Sequence, residues 1–173
     1  MLQRILVLIF CFFVVFQANA KENINIFAYS RPAPESKIYN IHGKQTSLQD
    51  FKGQFLIAVF WSKTCIPCIK EIHKIKKFTE KTSETGIKLI MISPEKDWTF
   101  EGEHQTFVNK FGGNGIDLYT DKSSVLANDF GIFTSPHAVL INPESMEIGR
   151  IRGFFDWDDT DSIETIYKIK ASH

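Results

Sequence analysis

Cysteine is the first scarcity in this sequence, with only three in 173 residues. Cys11 falls inside an apolar leader, so the folded part keeps two, Cys65 and Cys68, and no disulfide framework can staple it. A ring closed across two intervening residues removes little chain entropy, so this pair points to chemistry rather than to stability. Excess charge of either sign is also missing, since 20 basic residues face 20 acidic ones. With no basic stripe along the chain, a nucleic-acid footprint is excluded as a first reading. No apolar run reaches bilayer-spanning length; the longest, Ile5 to Phe16, has twelve residues. The five histidines stand singly at positions 42, 73, 104, 137 and 173, and there is no second CxxC, so a zinc site would lack half its ligands. Internal repeats and low-complexity tracts are absent as well.

The leader has its own logic. Met1-Leu-Gln-Arg4 carries one positive charge, the apolar run follows, and Ala18-Asn-Ala20 supplies the small–x–small pattern of a cleavage site. The predicted organisation is a signal peptide over residues 1–20 and one domain over 21–173, exported and periplasmic. An uncleaved anchor tethering the same domain is the alternative. Apolar content of 43% and charged content of 23% suit a soluble globular domain with a proper core.

Hydrophobic periodicity divides the domain. Residues 24–52 read as a lead-in of strand and turn character, with Ile24, Ile26 and Ala28 alternating and Arg31-Pro-Ala-Pro34 breaking the chain. Ile38 to Lys44 is a strand running into a turn at Gly43, and Ser47-Leu-Gln-Asp50 has the spacing of a one-turn helix start. Phe55 to Trp61 is the continuous apolar run of a strand buried on both faces. A helix over Pro67–Lys81 and a second buried strand over Ile87–Ile92 make a parallel crossover. Thr99–Phe111 and Ser123–Phe130 are predicted helices flanking a short strand at Ile116–Tyr119. Ala138–Ile141 and Glu147–Arg152 form an antiparallel hairpin, and Asp159–Lys170 is a closing helix with acids in its first turn.

Cys65 stands where the helix after the buried strand begins. Unpaired amides and the positive end of the helix dipole favour a thiolate there, which makes Cys65 a nucleophile and a leaving group. Cys68, about one turn further on, can attack a mixed disulfide on Cys65. Pro67 is tolerated because the first turn needs no amide. Glu71, three positions after Cys68, could relay the proton of that thiol if burial raises its pKa. A solvated glutamate among Lys70, Lys74, Lys76 and Lys77 is the plainer reading of the spacing. Ser135-Pro136 precedes a buried strand, a position that suits a proline and could be either cis or trans.

With these motifs in order, the sequence resembles the thioredoxin superfamily, and within it the exported TlpA/ResA-like branch. Phe60-Trp61-Ser-Lys-Thr-Cys65-Ile-Pro-Cys68 is similar to the signature of that family, and Cys68-Ile-Lys-Glu71 to the Cys-x-x-Glu of the branch. Thr134-Ser135-Pro136 falls where the family has its cis-proline loop, and Gly43 to Gly53 is similar to the segment that precedes the domain. The resemblance implies an α/β thioredoxin-like fold: a central mixed sheet flanked by helices, with an N-terminal strand and turn extension. It implies Cys65, Cys68 and Glu71 as catalytic residues, and Trp61, Ile66, Pro67, Ser135 and Pro136 as the substrate-binding rim. It brings no cofactor and no metal. Four departures stand out. Val59 replaces the buried aspartate of thioredoxins proper, and Thr64 replaces an aromatic before the first cysteine. His137 follows the proline, and Pro94 to His104, with Trp98, matches no family motif.

The function expected from these features is an extracytoplasmic thiol–disulfide oxidoreductase that reduces protein disulfides, with cytochrome c or copper-site maturation among the roles the resemblance implies. Its partners would be protein thiols or disulfides and a membrane electron-donor protein. A disulfide-donating oxidase is one alternative. Another is a copper-binding metallochaperone of the same fold, for which Met91 and Met146 are the only methionines outside the leader. A peroxidase is a further enzyme alternative, although the cysteine context is thioredoxin-like.

Overall fold

The structure is a computed structural model and describes residues 23–173; the predicted signal peptide and its cleavage site lie outside the described residues. Among these residues the strands are β1 (Ile24–Pro32), β2 (Ile38–Asn40), β3 (Gln45–Thr46), β4 (Phe55–Phe60), β5 (Ile87–Pro94), β6 (Asp117–Asp121), β7 (His137–Ile141) and β8 (Met146–Arg152). The helices are α1 (Ile66–Thr82), α2 (Glu103–Lys110), α3 (Val125–Phe130) and α4 (Thr160–Ala171). All eight strands join one sheet in the order β1-β8-β7-β4-β5-β6-β2-β3. β4, β5 and β6 run parallel, and the remaining pairings are antiparallel. This is the mixed sheet flanked by helices that the resemblance implies.

β4 is central because every one of its residues is apolar and buried. Strand alternation sends Phe55, Ile57 and Val59 to one face, with Ile72, Ile75 and Phe78 of α1, Val108 of α2 and Ile166 of α4. Leu56, Ala58 and Phe60 point the other way, toward Leu126 and Phe130 of α3 and toward Ile38 and Leu48. Burying each such side chain contributes about 1.5–3 kcal/mol relative to exposure. A polar residue anywhere in β4 would therefore disturb one of two cores.

The lead-in divides between the two edges of the sheet. β1 pairs with β8, with an irregularity between Ile26 and Arg31, while β2 pairs with β6 on the far side. The strand runs through Arg31 and ends at Pro32, and the amide of Ala33 then donates to the carbonyl of Ser145 at 3.0 Å. Leu48–Phe51 is a single 3₁₀ turn, with the Asp50 carboxylate accepting from the Ser47 amide at 2.8 Å.

Two helices start later than periodicity predicts. α2 begins at Glu103 rather than Thr99, because Gly102 sits in the left-handed region at φ 81°. The Glu103 carboxylate accepts from the Thr99 amide at 2.7 Å, so residues 99–102 form a capping turn. α3 begins at Val125 because the buried Asp121 carboxylate accepts from the amides of Leu126 and Ala127, at 3.1 and 2.8 Å. α2 is closed by Gly113, where a side chain would collide with Val108 and Ile72.

Candidate active site

The end of β4 leads through Trp61–Thr64 to Cys65, the N-cap of α1. The Cys65 Sγ accepts from the Cys68 amide at 3.3 Å. No acidic residue occupies the first turn, and Pro67 stands within it, where an amide would have no helical partner. The positive end of a 17-residue helix is thus directed at Cys65. Cys65 and Cys68 form a disulfide, with Cα atoms 5.3 Å apart. Their exposure is unequal: Cys65 is half-buried, whereas Cys68 is 1% exposed. An attacking partner reaches the first sulfur and not the second.

Glu71, one turn further along α1, is 1% exposed. The surrounding lysines do not neutralise it; Lys74 and Lys77 pair with Asp156 and Asp158 instead. Burial raises its pKa from 4.5 to about 7, opposed chiefly by a hydrogen bond from the Phe155 amide to Oε1 at 2.6 Å. The Trp157 indole lies close enough to favour the charged form, although its Nε1 makes no hydrogen bond of good geometry. A carboxyl group that titrates near neutrality, on the same helix as a shielded thiol, has the acid–base properties needed to take up and release that thiol's proton.

The Ser135–Pro136 peptide bond is cis. β7 pairs with β4 so that His137 stands opposite Phe60, and this register carries Pro136 toward Trp61, at the end of the sheet where α1 starts. The Pro136 carbonyl accepts from the Gly153 amide at 2.9 Å. The loop that follows β8 therefore holds the proline at Gly153 and Glu71 at Phe155. Sequence reasoning missed this loop, and Gly153-Phe-Phe-Asp-Trp157 carries only a cluster of aromatics as a signal.

Ile66, Pro67 and Ser135 are exposed at this end of the sheet, and Phe133 joins them at 83% exposure. Pro136 is buried, and so is Trp61, which packs against Trp98, His104 and Phe107 and shapes the site from beneath. A cavity of about 270 Å³ opens beside the proline loop, lined by Phe60, Ser62, Ile92, Ala127, Phe133 and Ser135 among others. Of the four departures, Val59 is sealed in the α1-side core, and Glu71 is a buried carboxylate on α1 itself. His137 belongs to the opposite face, where burial, and then Arg150 and Arg152, lower its pKa to about 4; it is neutral at pH 7. Among the described residues no three His, Cys, Asp or Glu side chains gather to hold a metal ion. Among them also, no helix is long and apolar enough to cross a membrane.

A family model described as the AhpC/TSA family matches residues 29–162. The chain is 27% identical over 124 residues to the thiol-disulfide oxidoreductase ResA of Bacillus thuringiensis subsp. konkukian, a match covering 71% of this chain and 69% of that protein. Among solved structures, a thiol:disulfide interchange protein from Bacteroides sp. superposes with a TM-score of 0.68 at 23% identity, covering 84% of this chain and 91% of the other. StoA from Bacillus subtilis superposes with a TM-score of 0.62 at 21% identity, covering 79% and 98%. At these identities the two structures establish the shared fold.

Proposed function

The chain belongs to the AhpC/TSA family of thioredoxin-like proteins, and from that premise we propose that it is an exported thiol–disulfide oxidoreductase that reduces protein disulfides through Cys65 and Cys68. The observation that carries this reading is the asymmetry of the pair: an accessible sulfur at a helix N-terminus and a shielded one beside a buried carboxyl group. The similarity to ResA, a protein named for this activity, supports the same class of reaction. Export rests on the leader over residues 1–20, with removal after Ala20.

In the reducing direction the Cys65 thiolate attacks a substrate disulfide. A Cys65–substrate bond forms, the substrate disulfide breaks, and one substrate thiolate leaves. Glu71, as carboxylate, takes the proton of the Cys68 thiol. Cys68 then attacks the Cys65 sulfur and expels the second substrate thiolate. Two electrons have passed from the dithiol to the substrate, and the enzyme is left as its Cys65–Cys68 disulfide. A membrane dithiol donor would restore it by the same exchange in reverse. Ile66, Pro67, Ser135 and the cis-proline loop would border the substrate chain, with Trp61 beneath them.

The test is reduction of insulin disulfides by the reduced protein, with Cys65→Ser alongside. Turnover by the wild type and none by the variant supports the reading; equal turnover by both defeats it. The reduction potential of the pair decides direction. A strongly negative value supports the reductase, and one among the most oxidising relatives makes the protein a disulfide donor.

A further inference from the structure

Residues 94–104, which resemble no family motif, form a clamp over the loop that delivers Cys65. The Asp97 carboxylate, 9% exposed, accepts from the Ser62 hydroxyl at 2.7 Å and from the Lys63 amide at 3.1 Å. The same Ser62 then accepts on both its oxygens: Oγ from the Thr64 amide at 3.3 Å, and the carbonyl from the Cys65 amide at 3.1 Å. One carboxylate is thus tied through a single residue to the backbone of the nucleophile.

The clamp is itself rigidly backed. Lys63 Nζ pairs with Glu103 at 2.9 Å and lies over the Trp98 ring at 5.1 Å. Trp98 stacks on His104 with centroids 4.2 Å apart and donates from Nε1 to the Ser93 hydroxyl at 2.8 Å. Trp61 packs against both rings from below. Lys63 is therefore neutralised and held to the side, and Asp97 faces the Ser62–Lys63 backbone with no cation paired to it by a salt bridge among the described residues.

We propose that Asp97 is a positioning residue for Cys65. By fixing Ser62 and Lys63 it seats the Cys65 sulfur on the amides that open α1, and its own charge opposes the thiolate formed there. The two effects act in opposite directions on the thiol: positioning lowers its pKa, and the nearby negative charge raises it. Together they would tune the pair without any contact between Asp97 and the reacting sulfur. The proposal rests on the redox reading of Cys65 and Cys68, but its test needs no substrate.

The experiment compares Asp97→Asn with Asp97→Ala in the full chain. Asparagine keeps an acceptor for the Lys63 amide and removes the charge; alanine removes both. The pH dependence of iodoacetamide alkylation of the reduced protein gives the thiol pKa, and equilibration with a dithiol buffer gives the potential. Asp97→Asn is expected to lower the thiol pKa and make the potential less negative. Asp97→Ala is expected to lie above Asp97→Asn by about half a pKa unit, because the sulfur leaves its seat at the helix terminus. Ser62→Ala, which loses the hydrogen bond to Asp97 and the acceptor for the Thr64 amide but no charge, should raise the pKa above wild type and carries the comparison if Asp97→Ala does not fold. Identical titrations for Asp97→Asn and Asp97→Ala, or no rise in Ser62→Ala, would overturn the proposal even if insulin reduction proceeds. Failure of insulin reduction with the expected titrations would instead count against the reductase reading alone.

Discussion

Glu71 and Glu147 are two carboxylates buried to the same degree, 1% exposed each, and their surroundings are opposite. Glu147 lies between two guanidinium groups, with Arg31 Nε at 2.6 Å from one oxygen and Arg150 Nε at 2.6 Å from the other. Arg150 in turn donates to the Phe130 carbonyl at 2.7 Å. A bulge in β8 makes this possible: the register shifts between Leu140 and Ile141, so Glu147 and Arg150 share a face although three positions apart. Among the described residues Glu71 makes no salt bridge; it accepts from the Phe155 backbone amide, and Lys74 is only a minor influence on it. Glu147 is thus buried as part of an ion-pair network, whereas burial of Glu71 without a salt bridge raises its pKa to about 7.

The largest effect expected is at the thiol that Glu71 is proposed to serve. Cys68→Ser should leave Cys65 able to attack and unable to resolve, so that a substrate-linked species accumulates and turnover is lost. Non-reducing gels and mass spectrometry would detect it, and full turnover by the variant would remove Cys68 from the mechanism. Second comes the structural carboxylate. Glu147→Gln leaves Arg150 buried without its counter-charge and should cost about 3–5 kcal/mol in denaturant unfolding, while the folded fraction keeps its thiol exchange. A loss under 1 kcal/mol would mean that the pair is not the structural element described here.

Glu71→Gln should do the reverse, slowing exchange by about 10²-fold and raising stability at alkaline pH. Because the folded-state pKa of Glu71 is raised from 4.5 to about 7, the native state holds this proton more tightly than the unfolded chain. Its contribution is complete below pH 4.5 and is lost as pH rises through 7. The glutamine variant, which never ionises, should therefore gain on the wild type across that window, reaching about 2–3 kcal/mol by pH 8. Equal stabilities at pH 5 and pH 8 would show that Glu71 is not desolvated.

The smallest effect is the acid limb. His104 and His137 are held neutral, with pKa values lowered from 6.5 to about 4 by burial. Their contribution is present above pH 6.5 and lost as pH falls toward 4. Between pH 4.5 and 6.5 the two histidines act against Glu71 and the buried Asp121, whose pKa burial also raises, so stability should rise with pH less steeply than the histidines alone would make it. Denaturant unfolding at pH 5 and 6 measures it, and a flat or falling profile would contradict the neutral, buried state of both rings.

Most strands and helices were legible because their patterns are local. The apolar run at Phe55–Trp61 carries the signature of a doubly buried strand, and alternating or helical spacing marks the elements elsewhere. The starts of α2 and α3 were less legible, since the Glu103 carboxylate reaches back to the Thr99 amide and the Asp121 carboxylate, outside α3, accepts from the first amides of that helix. Glu71 was readable as a candidate, yet spacing alone favoured a solvated residue among lysines. The Phe155 amide and the Asp156 and Asp158 carboxylates that draw the lysines away come from more than eighty residues further along the chain. Trp98 stood out only within a segment that matches no family motif, and Asp97 gave no signal, because their contacts are with Ser62 and Lys63 some 35 residues earlier.

By itself the sequence determined the central strand, the crossover and the placement of two thiols at the start of a helix. Each follows from side-chain period and covalent spacing, which act over a few residues. Only the tertiary structure decided which thiol is shielded, that the buried Glu71 on the same helix has no salt-bridge partner among the described residues, and which distant loop holds Ser62 and Lys63 before Cys65. Desolvation and charge pairing depend on what the rest of the chain brings alongside, and no local pattern encodes them.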